Sequence, residues 1–216
     1  MYEILEDYKT IYENIAIGKI QRKQQYQDTA AWLHKSYIKY PSFDEILTFY
    51  IENSHINFVK QFYDKLIFPY IRLGENKYNI DALLFLFQND KIREYEQYLS
   101  WEVSIQTLEN MVLQQYPNNI TILEYRYHHS NWWFEYSVHE VPYFVLCGND
   151  VPSLEQIRGM KKDLIEFNNL SLHLGYTDNE WITYLSRIYN AFENYLLNAV
   201  LYSDFKEYLD TNFIEY

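Results

Sequence analysis

Three short patterns constrain this chain more than anything else in it: Ser42-Phe-Asp-Glu45, Ser153-Leu-Glu-Gln156 and Thr177-Asp-Asn-Glu180. Each has the form S/T-x-x-E/Q. The hydroxyl accepts a hydrogen bond from the N–H three residues on, and the Glu or Gln reaches back to the first N–H. A helix start leaves four backbone N–H groups without intrahelical partners, so such a box marks a helix by side-chain chemistry rather than by propensity alone. The boxes at Ser42, Ser153 and Thr177 argue for a fold built from helices.

Apolar spacing agrees with them. Ile4, Tyr8, Ile11 and Ile15 recur at helical intervals with Leu5 and Tyr12 beside them, which predicts an amphipathic first helix. A second helix is expected over Thr29 to Tyr40, stopping before Pro41. Gly74 closes a segment that begins near His55 and is kinked by Pro69, and further helices fall near Ile80 to Gln88 and Asp90 to Gln115. Gly175, two residues before the third box, reads as the turn of an αα-hairpin. The last helical stretch runs on from Asp178, with a break near Ser203. A helix followed by Tyr116-Pro117-Asn118-Asn119 resembles a boundary between tetratricopeptide-type repeats. The small-residue positions of that repeat are filled here by Arg93, Ile105 and Tyr127, so the family is not assigned.

Residues 120–147 admit two readings. With period two, Leu123, Tyr125 and Tyr127, then Trp132, Phe134, Tyr136 and Val138, make a β-hairpin turning at His129-Ser130-Asn131, with Tyr143 to Cys147 as a third strand. With period 3.6, Ile120, Leu123, Tyr127, Phe134, Val138 and Val141 make one helical face. Local propensity favours strands, whereas helical neighbours on both sides favour a helix. The segment 140–153, with Pro142, Gly148 and Pro152, reads as a loop and as the internal hinge. The expected fold is therefore all-α or mainly α: antiparallel helical hairpins in a bundle or short repeat-like stack, in a single domain over 1–216. The alternative is α+β, with a small hairpin or meander near 120–147.

Composition excludes several classes of function. With 48% hydrophobic and 22% charged residues the chain is globular rather than disordered, and 216 residues can bury a core without disulfides. The single Cys147 has no internal partner, and the acidic Met-Tyr-Glu-Ile-Leu-Glu-Asp start lacks the features of a signal peptide. A cytoplasmic location follows as the expectation. Apolar runs such as Ala82 to Phe87 are too short to span a bilayer, so no membrane partner is expected. The net charge of −12 argues against nucleic acid and for a basic protein partner. Two basic clusters, Lys19 with Arg22 and Lys23, and Arg158 with Lys161 and Lys162, read as solvated helix faces.

Candidate chemistry is sparse. Glu124-Tyr-Arg-Tyr-His128 and Glu135-Tyr-Ser-Val-His139 are two copies of E-Y-x-x-H, eleven residues apart. Carboxylate and imidazole suit a metal or acid/base role for Glu124, His128, Glu135 and His139. On a helix, however, the two pairs stand about 16 Å apart, too far to share an ion. Cys147 lacks a recognisable His partner, and the five glycines form no phosphate-cradling loop, so neither a metal nor a cofactor is expected. Tyrosine is the unusual residue, at 24 copies, and it is a residue favoured in interfaces. Codon bias is the competing explanation of that count. The residues singled out for partner binding are Trp132, Trp133, Tyr136 and Tyr127, together with the acidic Asp204, Glu207 and Asp210. Because Trp132 and Trp133 are adjacent, their side chains point in different directions, and one is expected to be exposed. The leading functional expectation is a non-enzymatic protein-binding module, in its most concrete form an immunity- or antitoxin-type protein masking a basic toxin. A metal-dependent or acid/base enzyme acting through residues 124–140 and a self-assembling structural domain are the alternatives.

Overall fold

The computed structural model describes residues 2–14, 16–74, 77–177 and 179–216. Helix dominates, and the described sheet is one short antiparallel hairpin, so the fold is mainly α. Contacts divide the chain into two compact units, Met1–Pro117 and Asn118–Tyr216. The division falls at the Tyr116-Pro117-Asn118-Asn119 turn, and the 140–153 loop lies inside the second unit.

The first unit is assembled from short pieces: α1 (Glu3–Tyr12), α2 (Lys19–His34), α3 (Phe43–Glu52), α4 (Lys60–Phe62), α5 (Ile80–Gln88), α6 (Ile92–Tyr98) and α7 (Ile105–Gln115). Without a π turn at Tyr63–Ile67 and a 3-10 turn at Phe68–Tyr70, which continue α4, it would have no element carrying Tyr63, Leu66, Ile67 and Phe68 into its core. Aromatic rings fill that core. Tyr8 meets Phe62 at 4.8 Å and Trp32 at 5.1 Å, and Phe68 meets Tyr95 at 5.2 Å. Short helices leave many free backbone groups, and side chains from distant segments satisfy them. The Tyr8 hydroxyl donates to the Asn57 carbonyl at 2.8 Å and accepts from the Val59 N–H at 3.0 Å. The Trp32 indole donates to the carbonyl of Ile4 in the first turn of α1 at 2.9 Å, which ties α2 to α1. Lys65 Nζ donates to the carbonyls of Trp32, Leu33 and Lys35 at 2.7–2.9 Å, which ties down the end of α2. A cation there also favours the negative end of the helix dipole.

The second unit is a bundle of long helices: α8 (Ile120–Val138), α9 (Leu154–His173), α10 (Asn179–Leu197) and the shorter α11 (Phe205–Thr211). Tyr127, early in α8, stacks on Phe167, late in α9, at 5.0 Å, so these two run antiparallel. Glu193, late in α10, pairs with Arg158 and Lys161, early in α9, so those two form the expected hairpin. Its turn holds Gly175 at φ +77°. The core gathers Phe134 and Val138 of α8, Ile157, Met160, Leu164 and Phe167 of α9, Leu185, Ile188, Tyr189 and Phe192 of α10, and Phe205 of α11.

Several expectations are met. The boxes at Ser42 and Ser153 are both formed, with Ser42 Oγ accepting from Glu45 N and Ser153 Oγ from Gln156 N, each at 3.3 Å. The third box includes Asp178 and lies outside the described residues, as does Ile15 of the first apolar stripe. α5 spans the predicted Ile80–Gln88, the 140–153 stretch carries no helix, and the last helical stretch breaks between Leu197 and Phe205.

Others are corrected. α2 begins at Lys19 and ends at His34 rather than covering 29–40. Gly74 ends the strand β1 (Arg72–Gly74), which pairs with β2 (Lys77–Tyr78), rather than ending a helix. The expected helix over 90–115 is two helices separated by Ser100 and Trp101, both in the left-handed region at φ +54° and +64°. The β-hairpin alternative for 120–147 gives way to α8. Asn119 caps it by accepting from Ile122 N at 3.2 Å, and the 3.6 period lets Leu123, Phe134 and Val138 be buried together. Burial of one face outweighs the strand propensity of Tyr, Trp and Val.

Candidate functional site

α8 is two-faced. Phe134, Ser137 and Val138 turn inward, where the Ser137 hydroxyl donates to the Phe134 carbonyl at 2.7 Å and bonds the buried Tyr189 hydroxyl at 2.5 Å. At 100° per residue, Tyr125, His129, Trp132, Tyr136 and His139 share an arc of about 80° on the opposite side. Their rings follow one another along the helix. Centroids are 6.4 Å apart from Tyr125 to His129, 6.4 Å from His129 to Trp132, 5.8 Å from Trp132 to Tyr136 and 4.8 Å from Tyr136 to His139. The first three pairs lie within 10–22° of parallel, and the last is tilted by 33°.

This ladder is accessible from His129 onward, while the Tyr125 hydroxyl at its start is buried. Trp132 is 58% exposed, and Tyr143, in the loop after the helix, is 61% exposed. His129 and His139 are exposed, while Tyr125 and Tyr136 are half-buried. The rings are also held in place. The Tyr136 hydroxyl donates to Asn149 Oδ1 at 3.4 Å, and His139 Nδ1 lies 2.5 Å from the Tyr136 carbonyl. Ring pairs contribute about 0.5–1.5 kcal/mol each beyond burial, which fixes rotamers before any partner arrives. Glu124, Glu135 and Glu140 stand along its flanks, and Arg126 is the only Lys or Arg between Asn118 and Ile157. Across Asn118–Tyr216 there are 14 Asp and Glu against 6 Lys and Arg, so −8 of the net −12 lies in this unit.

The other candidates separate from one another. Trp132 faces solvent, whereas Trp133 turns toward the core and meets Phe134 edge-on at 5.0 Å. Tyr127 sits on the inward side against Phe167 and Tyr176. Asp204, Glu207 and Asp210 are exposed on α11, but each has local bonds. Asp204 Oδ1 accepts from Glu207 N at 2.8 Å as the N-cap, and Glu207 Oε2 accepts from Ser203 N at 2.6 Å. Asp210 accepts from Lys206 at 2.5 Å and from the Tyr216 hydroxyl at 3.2 Å. The Ser203 bonds hold Glu207 below the usual carboxylate range, and Lys206 does the same for Asp210.

The two E-Y-x-x-H copies do not converge. Their eleven-residue offset is three helical turns, so it aligns Tyr125 with Tyr136 in the ladder and leaves Glu124, His128 and Glu135 along one flank, with His139 at the end of the ladder. Glu124 and His128 are exposed, Glu135 accepts from Asn131 Nδ2 at 2.7 Å, and His139 Nε2 faces Glu140 at 3.1 Å. Among the described residues no three His, Cys, Asp or Glu side chains are grouped to hold a metal ion. Cys147 is half-buried against the core of the second unit. A shallow open cleft of about 420 Å³ in the first unit is lined by Tyr2, Glu3, Ile38, Lys39 and Glu45. Its polar groups engage each other, with the Tyr2 hydroxyl donating to Glu45 at 2.9 Å and Lys39 lying 5.2 Å from the Tyr2 ring centroid.

Residue type marks Trp132 and Tyr136 in the sequence but not Tyr125 and His129 as their neighbours. The 4-3-4-3 spacing was the available signal, and it is visible only once the segment is taken as a helix. The cluster at Arg158, Lys161 and Lys162 proves to be divided. Arg158 Nε and Lys161 Nζ donate to Glu193 at 2.6 and 2.7 Å, while Lys162 remains exposed.

The chain matches no protein-family model, and no curated protein or solved structure is significantly similar to it. Among the described residues no helix is long and apolar enough to cross a membrane.

Proposed function

We propose that this chain is a protein-binding module that docks a basic partner on the exposed aromatic and imidazole ladder of α8. The observation that carries the reading is the run of stacked rings on the solvent side of a helix whose other side is the core. Exposed Trp and Tyr are the residues on which binding energy concentrates, and rings already fixed by their neighbours lose little entropy on contact. The acidic character of the unit steers a basic partner to it and accelerates encounter at low salt. In its most concrete form the protein is a cytoplasmic immunity- or antitoxin-type inhibitor that masks a basic toxin.

The test is capture of partners from the host lysate at low and high salt, with wild type and Trp132→Ala side by side. The reading predicts a stoichiometric basic protein, weakened by salt and lost from the variant. Truncating a central Trp costs about 2 kcal/mol or more, roughly a thirtyfold loss. A partner held equally by both proteins places the docking surface elsewhere, and a stable homo-oligomer with no partner at any salt replaces this reading with self-assembly.

A further inference from the structure

We infer that the partner element seated on α8 is itself an α-helix, amphipathic, with basic side chains along both edges of its apolar stripe. This inference rests on the docking reading above and adds the form of the ligand. Tyr125, His129, Trp132, Tyr136 and His139 follow the 4-3-4-3 spacing of the contact seam between two helices packed side by side. Side chains at that spacing stay on one line only against a second rod of the same period, crossing at about 20°. The seam covers about 21 Å, two heptads of contact.

An extended peptide fits less well. Strand addition takes its affinity from free backbone N–H and C=O groups at a sheet edge, and the backbone of α8 is engaged within its own helix. The flanks select the charge of the occupant. Glu135 and Glu140 take positions next to the seam, with Arg126 the one basic side chain there, and a facing helix sets its own edge residues against them, so Lys and Arg opposite the two acids are attracted and Glu is repelled. The same acids disfavour nucleic acid.

The experiment uses the full-length protein and three labelled synthetic peptides of about 21 residues. One carries Leu at the seam positions and Lys or Arg at the edges. The second has the same composition in scrambled order, and the third has the same heptads with Glu at the edges. Fluorescence anisotropy reads binding. The basic heptad peptide is expected to bind at least tenfold tighter than either control, with rising helicity by circular dichroism. Trp132→Ala and Tyr136→Ala should each weaken it at least tenfold while the free variants keep the wild-type helical circular dichroism. Equal binding of the scrambled peptide reduces the contact to bulk charge and overturns the inference. So does binding unaffected by either substitution, or no binding of the heptad peptide up to about 100 µM. If that failure coincides with a Trp132-dependent partner from the lysate, the helical form alone is wrong. If the lysate yields no such partner, the docking reading itself falls.

Discussion

The two compact units of this chain reach stability by different routes. In Met1–Pro117 short helices are bound together by side chains that reach across the sequence to main-chain groups: Tyr8 to Asn57 and Val59, Trp32 to Ile4, Lys65 to the end of α2. In Asn118–Tyr216 long helices bury continuous apolar faces, and the polar contacts between α9 and α10 lie at their rim. The difference teaches where function can be placed. A helix anchored on one side by a continuous core is free to display rings on the other, and α8 does so.

The largest expected effect lies in the first unit. Lys65→Met leaves three carbonyls at the end of α2 without their donor, and hydrogen bonds to a charged group are worth about 1.5–3 kcal/mol. Partial burial pushes the Lys65 amine down. Hydrogen exchange in the last turn of α2 should accelerate far more than exchange in α9 and α10. Equal acceleration in all three would contradict the contrast between the units.

The same contrast explains what the sequence made legible. The boxes at Ser42 and Ser153 and the glycine turn at Gly175 are chemical marks, and the elements they mark stand where they were expected. The missed boundaries lack such marks. After α5 and α6 the chain turns through Asp90 and Ser100 at φ +53° and +54°, and after α11 through Phe213 at φ +55°. In each case two bonds close the helix end, as in Lys91 N to Leu86 O at 2.8 Å with Asp90 N to Phe87 O at 3.2 Å. This is the helix ending that usually uses glycine. With five glycines in the chain, residues without that signature do the work, and a reading keyed to glycine runs past them. The π turn at Tyr63–Ile67 has no local sequence mark at all, because tertiary contacts set it. The ladder was half legible, since composition pointed to Trp132 and Tyr136 but only the helical period joins them to Tyr125 and His129.

Those left-handed positions supply a paired test of the next largest effect. Gly175→Ala forces a Cβ into φ +77° and should cost about 1 kcal/mol, although the space around it is open. Ser100→Gly relieves the same strain and should stabilise by about 0.5–1 kcal/mol, less than the strain itself because glycine loses more backbone freedom. Urea denaturation reads both. Changes of the same sign would show that backbone strain does not govern these turns.

The smallest effect is electrostatic and sits in the second unit. Lys161, then Arg158, hold the Glu193 carboxyl below its ordinary value. A carboxylate with a lowered folded pKa stabilises the fold above the unfolded value and loses that contribution as pH falls through the folded one. Wild type should therefore lose more stability than Glu193→Gln on acidification below about pH 4.5. The difference should stay under about 1 kcal/mol, because the Arg158 side chain is 55% exposed and that of Lys161 34%, which leaves solvent to screen the pairs. Parallel melting curves for the two proteins across that range would show that the cluster contributes nothing.

The most direct test of the central claim is hydroxyl-radical footprinting of the full-length protein, free and with its captured partner. The account predicts slowed oxidation at Trp132, Tyr136, His129 and His139, with the exposed Trp101, Tyr26 and Phe213 unchanged. Unaltered oxidation across the ladder, with protection at another surface, would contradict the assignment of α8 as the docking face.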